Sequence, residues 1–591
     1  MKRLIAAVLA LLVVAWGLSL RAPSASRYQV FHGGQILTMA SDERAEAVYV
    51  ADGVIAAVGT RAEIDALAPW NARRVDLRGG TLLPGLIEPH THPLASALLG
   101  ASTDVSGVTH ANRDELMATL RTAAGKRGLT PWIVAFGWDP AMLNPLPPPS
   151  LAELDAIAPD RPMIILTQMM HEAFANSAAL AGAGIDATTP DPAGGSFERD
   201  ASGALTGRLI EITAIGQVMA AMPEASDAAL TLLLSLQYDR YARAGYTTIG
   251  AASLVGRARD PVALVHDIAA ERRASLNTVL YAAPDRFAHA SEIWGDDTFR
   301  NGNGAAGTHL AGMKIWMDGS PFIGGAALAE PYERSPFTRD VLGLAPGWSG
   351  QVNYTPDTVN ALVLEAQRGG YQLAFHAQGE PAIEMALDAI EAAQTAAPDP
   401  ALHHRLEHLA LISPAQMERA ARLGVSLGFF IDHVWFYGHI LPDLVGEART
   451  QRYMPVAEAV AAGAVVTLHG DHPATPIDPM RTLATAIERR ARTGGTIIGA
   501  DEALVAQQAL EAMTINAARQ LGLDSEIGSI EVGKRADFTW FDRAPLGLSP
   551  QEMREIQVRG TWIAGRPVDT RTVTLKNISL TLSAIWSSLT D

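Results

Sequence analysis

Residues 82–96, LLPGLIEPHTHPLAS, carry an apolar strand-like run into His90 and His92. Successive side chains on a β-strand point to opposite faces, so these two imidazoles share a face and can reach one metal ion. Two surface polar residues at the start of a loop would have the same spacing, and the rest of the chain has to decide. Four further apolar runs carry residues of matching chemistry: Lys314 in AGMKIWMDGS, His376 in YQLAFHAQGE, His408 in HHRLEHLAL and Asp471 in AVVTLHGDHP. Such a set has a physical logic. Two divalent ions can share a bridging hydroxide when imidazoles and a carboxylate fill the outer positions and an anionic group spans both metals. A lysine carboxylated by CO₂ supplies that bridge.

Other chemistries fail on inspection. The chain has no cysteine, which excludes disulfides, thiolate metal sites and cysteine nucleophiles. HEAFA, at residues 171–175, lacks the second histidine of H-E-x-x-H, and there is no G-x-S-x-G nucleophile elbow. Asp318 and Glu407 sit where they can orient ligands or bond loops, because a metal-bound imidazole needs a partner for its other ring nitrogen. His433, Tyr437 and His439 in IDHVWFYGHI follow a strand and are placed to wall a pocket, although aromatic packing explains Tyr437 equally well. His403 and His404 read as structural.

These residues need a scaffold. Short apolar runs alternating with helical patterns through the middle of the chain are the signature of parallel βα units. One unit is well punctuated: Ser413 caps a helix with Pro414 at its first position and Gln416 completing a capping box, and Gly424 stops it. Ten runs qualify as strands: 82–88, 132–136, 163–168, 246–250, 276–282, 313–318, 371–376, 403–408, 425–430 and 464–470. An eight-stranded barrel needs two fewer. The runs at 132–136 and 163–168 lie beside Pro-, Gly- and Asp-rich stretches, so about residues 101–240 are assigned to an insertion over the barrel mouth. Catalytic groups of such barrels collect at the C-terminal ends of strands. Strand-rich stretches at both chain ends, the first with an Asp52-Gly53 hairpin turn, are each too small to bury a core alone. The expected fold is therefore α/β: a (β/α)8 TIM-like barrel over residues 82–525, and a small β-sandwich formed by residues 27–81 and 526–591.

The ordered pieces LLPGLIEPHTHP, MKIWMDGSP, AFHAQGE, RLEHLAL, HGDHPATP and MTINAARQLGLDSEIGSIEVGKRADFTWFD span nearly the whole chain. In that order they resemble the amidohydrolase superfamily, and within it the amidohydrolase 3 or YtcJ-like subgroup, which includes N-substituted formamide deformylases. The resemblance implies that His90, His92 and Asp471 hold one metal, that His376 and His408 hold the other, and that a carboxylated Lys314 bridges them. Two zinc ions per chain are expected. It also implies that Asp471 is the catalytic acid/base and that His171, in MMHEAFANSAAL, lines the substrate side. Two departures stand out. Glu88 replaces the family's usual Asp two positions before the first metal histidine, and HGDHP replaces the usual Gly-Ser-Asp run, so that His469 and His472 crowd Asp471.

The formal charge of −17 would repel phosphate backbones, which argues against nucleic acid, and the resemblance implies a small-molecule substrate. Positive residues Lys2 and Arg3 before an apolar run from Leu4 to Leu20 read as an export leader over residues 1–26. Both a cleaved signal and an uncleaved membrane anchor fit its length. The sequence thus describes an exported, metal-dependent hydrolase cleaving an amide or formamide-like C–N bond. The alternatives are an esterase, lactonase or carbamate hydrolase on the same site, and a degenerate barrel serving as an extracytoplasmic binding protein.

Overall fold

The computed structural model describes residues 26–41, 44–126, 131–143, 146–192, 194–256, 258–270, 274–294 and 307–590. The expected leader, apart from Ser26, lies outside them. No helix among the described residues is long and apolar enough to cross a membrane.

Eight strands form one sheet in sequential order: β1 (Leu86–Thr91), β2 (Tyr246–Ala252), β3 (Asn277–Ala282), β4 (Thr308–Trp316), β5 (Gln372–Ala377), β6 (Arg405–His408), β7 (Ser426–Phe429) and β8 (Val466–Leu468). The pairings β2–β3 and β4 through β8 are parallel, as βα units in a barrel require. Just past β1, the His92 N–H donates to the His472 carbonyl beyond β8 at 2.9 Å. The expected capping box is present on the helix Pro414–Arg422, and Gly424 beyond it takes φ +66°.

By contact density the chain divides into two units, residues 1–89, 225–311 and 510–591, and residues 90–224 and 312–509. In the first unit the chain ends meet in a single sheet. Thr81–Pro84 pairs antiparallel with Phe538–Phe541, and Tyr28–Leu37 continues the sheet on the other side. Phe31 packs edge-on against Phe538 and Trp562, with ring centroids at 5.1 and 5.4 Å. The Asp52-Gly53 turn takes φ +52° and +83°, the left-handed pair that a tight hairpin needs. The run read as one strand at 82–88 is two. It divides at Gly85, where a Cβ would lie 2.0 Å from Thr247 Oγ1, so that Thr81–Pro84 serves the end sheet and Leu86–Thr91 opens the barrel.

In the second unit, the two surplus runs become Ile133–Trp138 and Met163–Thr167 of a separate six-stranded sheet. Its last strand is Leu205–Ile210. It carries its own apolar cores, one around Leu116, Trp138 and Phe174 and another around Ile164, Phe197 and Leu209. The helix Asp227–Arg243, inside the range expected for the insertion, groups instead with the first unit and leads into β2.

Candidate metal centre

All six sequence-nominated ligands fall in the second unit, at or just past strand ends. His90 is on β1, and His92 immediately precedes the helix Pro93–Leu99. Lys314 is on β4, His376 on β5 and His408 ends β6, while Asp471 lies just beyond β8. His408 and Asp471 take φ +76° and +50°. Non-glycine residues adopt this region rarely and at some cost, and such strain clusters at functional sites. The loop holding Asp471 is braced by Asp432, whose Oδ2 accepts from Thr475 Oγ1 at 3.2 Å, Arg481 Nη2 at 2.7 Å and Thr482 Oγ1 at 3.2 Å.

The geometry brings the six together. Asp471 Oδ1 lies 3.2 Å from His92 Nε2 and 3.6 Å from His90 Nε2. His90, His408 and Asp471 each offer one ligand atom within 4.8 Å of the others. The rings of His408 and His376 are 4.3 Å apart, and Lys314 Nζ is 3.1 Å from His90 Nε2. On the far side of its ring, His90 Nδ1 meets Glu407 Oε2 at 2.9 Å, and Arg405 Nε donates to the other Glu407 oxygen. Glu407 thus holds the outer side of the ring, and Nε2 is turned towards Lys314 and Asp471. Asp318 instead binds a loop. Its carboxylate accepts the backbone N–H of Ala327, Gln378 and Gly379 at 2.9–3.0 Å, and His376 Nε2 lies 3.8 Å away.

These donors fit divalent metal. His92 Nδ1, His376 Nε2, both ring nitrogens of His408 and Asp471 Oδ1 are buried without a hydrogen-bond partner among the described residues. Buried polar atoms are nearly always satisfied, and a cluster of bare ring nitrogens beside a carboxylate is what a cation would fill. Burial holds His90, His376 and His408 well below the usual imidazole range, which favours the neutral form a metal needs. Burial alone would raise the Asp471 carboxyl, but His92, His469 and Lys314 outweigh it and keep it ionised. Burial pushes the Lys314 amine down to about 7, against the pull of Glu407 and Asp471.

The substrate-side nominees also gather in this unit. His433 is fully buried, with Nδ1 at 3.1 Å from the Tyr453 hydroxyl and Nε2 unpartnered. Burial lowers it to about 3. Tyr437 stacks on Phe322 at 4.0 Å and donates to Asp139 Oδ2 at 2.6 Å, so its hydroxyl is committed to the insertion. The His171 ring lies 5.9 Å from that of His376. Sequence reasoning missed its partner: Glu211 Oε2 sits 2.8 Å from Nδ1, and the Glu211 N–H donates to the His171 carbonyl at 2.8 Å. Met170 and Glu211 both take positive φ, +60° and +67°. No motif links residues 171 and 211. The usable signal was an acidic residue ending the strand-like run LTGRLI.

Burial lowers the His171 pKa, but Glu211, with Asp471 and Asp318, outweighs it and leaves the value raised. A raised value stabilises the fold below the unfolded pKa of ~6.5, and the gain is lost as pH climbs through the folded value. Glu211→Gln should therefore lower the His171 pKa, read by NMR titration of the metal-free protein. An unchanged value would show that Glu211 does not control this ring.

Comparison with known proteins bears on this geometry. The family model described as "Amidohydrolase family" matches residues 73–569. An N-substituted formamide deformylase of Arthrobacter pascens is 32% identical over 531 residues, covering 88% of this chain and 94% of the relative. The putative amidohydrolase YtcJ of Bacillus subtilis (strain 168) is 27% identical over 557 residues, covering 91% and 99%. Among solved structures, an uncharacterized metal-dependent hydrolase from Pyrococcus horikoshii OT3 superposes with a TM-score of 0.69 at 22% identity, covering 89% of this chain and 99% of its own.

Proposed function

The chain belongs to the amidohydrolase family, whose members are metal-dependent hydrolases acting on C–N bonds, and from that premise we propose that it cleaves small non-peptide amides, N-substituted formamides foremost. The observation that carries this reading is the convergence of His90, His408 and Asp471, whose ligand atoms lie within 4.8 Å of one another while both His408 ring nitrogens and Asp471 Oδ1 are buried without a hydrogen-bond partner among the described residues, in a chain 32% identical to a formamide deformylase along nearly its whole length. In this reading His90, His92 and Asp471 would hold one zinc ion, His376 and His408 would hold a second, and Lys314, as its carbamate, would supply an anionic ligand to the centre.

When bound, divalent metal supplies Lewis acidity, which lowers the pKa of water from 15.7 towards ~7 and polarises a carbonyl. The protein's residues do the rest. The neutral Lys314 amine adds to CO₂, forming an N–C bond and releasing a proton, and the product is an anion where an ammonium would repel the metals. Asp471 accepts a proton from water as it attacks the carbonyl carbon, then returns it to nitrogen as the C–N bond breaks. His433 Nε2 and the Glu211-held His171 offer polar contacts to the substrate, while Tyr437 and Phe322 form a wall.

The reading is tested on a panel of formamides, larger amides, esters and lactones: formamides should be turned over fastest, and a preference for esters would move the scissile bond to C–O. We also infer export from the leader. Tagged protein should fractionate beyond or attached to the inner membrane, and a cytosolic pool with an intact N-terminus would refute that.

A further inference from the structure

Asp471 sits in a turn whose backbone is pinned at each carbonyl from Gly470 to Thr475. Thr475 Oγ1 donates to the Gly470 carbonyl, and the Ala474 N–H closes the turn on the Asp471 carbonyl at 2.8 Å. The His472 carbonyl accepts the His92 N–H at 2.9 Å and the Thr91 hydroxyl at 3.1 Å, and the Thr475 carbonyl lies 2.7 Å from His472 Nδ1. The two carbonyls between them, of Pro473 and Ala474, are held from the inserted sheet: Gln168 Nε2 donates to the first at 3.0 Å and to the second at 2.8 Å. Such pinning is what a φ of +50° at Asp471 requires, because a non-glycine residue stays in that region only where its surroundings over-determine it.

Gln168 begins the short turn between the strands Met163–Thr167 and Glu172–Ala175, which the Met170 N–H closes on the Thr167 carbonyl at 3.0 Å. The same turn carries His171, whose ring lies 5.9 Å from that of His376. Two carbonyl acceptors fix the orientation of the Gln168 amide, since its oxygen in the same place would set lone pairs against lone pairs. Both N–H groups are then spent on the Asp471 turn, and Oε1 is left buried without a hydrogen-bond partner among the described residues. An apolar side chain would avoid that cost, so what Gln168 contributes here is its two donors. We propose that Gln168 is a positioning residue for Asp471, through which the inserted sheet holds the catalytic turn in place beside the metal ligands. The inference rests on the reading given above, in which Asp471 is both metal ligand and acid/base.

Gln168→Met keeps the length of the side chain and removes both donors. A misplacement of about 1 Å can cost ~10²-fold in rate, so kcat on the best amide should fall ~10–100-fold while KM stays near parental. In the Asp471→Asn background the same substitution should cost little, because no carboxylate is left to position and residues acting as a unit are non-additive. A merely structural role would lower both backgrounds alike. Zinc affinity, read by competition with a chromophoric chelator, tests the positioning without turnover and should weaken ~10–100-fold, the cost of losing an outer partner. Circular dichroism of the variant should match the parent, and Gln168→Ala carries the same expectations if the Met form does not fold. Equal losses in the two backgrounds, or parental kcat and zinc affinity, overturn the inference. A parent protein that binds zinc but leaves amides intact overturns the functional reading and leaves zinc affinity to decide this one, whereas a parent that binds no zinc overturns both.

Discussion

Asp471→Asn should lower turnover by about 10² to 10⁴, the usual contribution of one general acid/base, while the protein retains metal. The substitution keeps the size of the side chain and one oxygen donor but removes the charge and the basicity. Asp471 Oδ1 sits 3.2 Å from His92 Nε2 and 3.6 Å from His90 Nε2, so the amide can still occupy the same place. Metal content by elemental analysis and kcat on the best substrate separate the two roles. Near-parental turnover with normal metal content would remove Asp471 from the proton path. The His472 ring, with Nδ1 fixed 2.7 Å from the Thr475 carbonyl, is the neighbouring base to test in that background. His472→Ala on top of Asp471→Asn should lower any residual rate.

Lys314→Ala should cost more than the ~10–100-fold in metal affinity that an outer partner commands, with a matching fall in activity. Short carboxylates added to this variant should restore part of the rate by occupying the vacated position. Lys314→Met examines the same residue from the side of stability. A lysine whose folded pKa is about 7 releases its proton on folding, so the metal-free parent gains stability as pH rises from about 7 to the unfolded value of ~10.4. The Met variant should lack that gain. Equal pH dependence of parent and Lys314→Met would mean that the amine is solvated, and the carbamate would lose its basis.

Much of this was legible in the sequence because it rests on local patterns. The capping box at Ser413, the hairpin at Asp52-Gly53 and the polar residues ending apolar runs each depend on neighbours a few positions apart. Counting ten strands and setting aside those at 132–136 and 163–168 isolated the barrel, since the surplus pair was flanked by turn-forming residues. The division at Gly85 was hidden because apolar residues continue through it, and only the approach of Thr247 reveals the change of sheet. Long-range pairs were hidden for the same reason. Glu211 against His171, Asp139 against Tyr437 and Tyr453 against His433 are separated by many residues and carry no spacing rule. His404, set aside as structural, is committed to backbone and amide partners: its Nδ1 accepts the Leu373 N–H at 3.0 Å, and Nε2 lies 2.9 Å from Gln367 Oε1.

The central claim is metal-dependent C–N hydrolysis, and one measurement reaches it directly. Purified protein, its metal content known, is incubated with an N-substituted formamide while formate and amine are followed by NMR. The two products should appear in equal amounts, stop when a chelator strips the metal, and return when zinc is restored. Metal-loaded protein that leaves formamides and other amides intact, or hydrolysis that continues unchanged after the metal is removed, would contradict it.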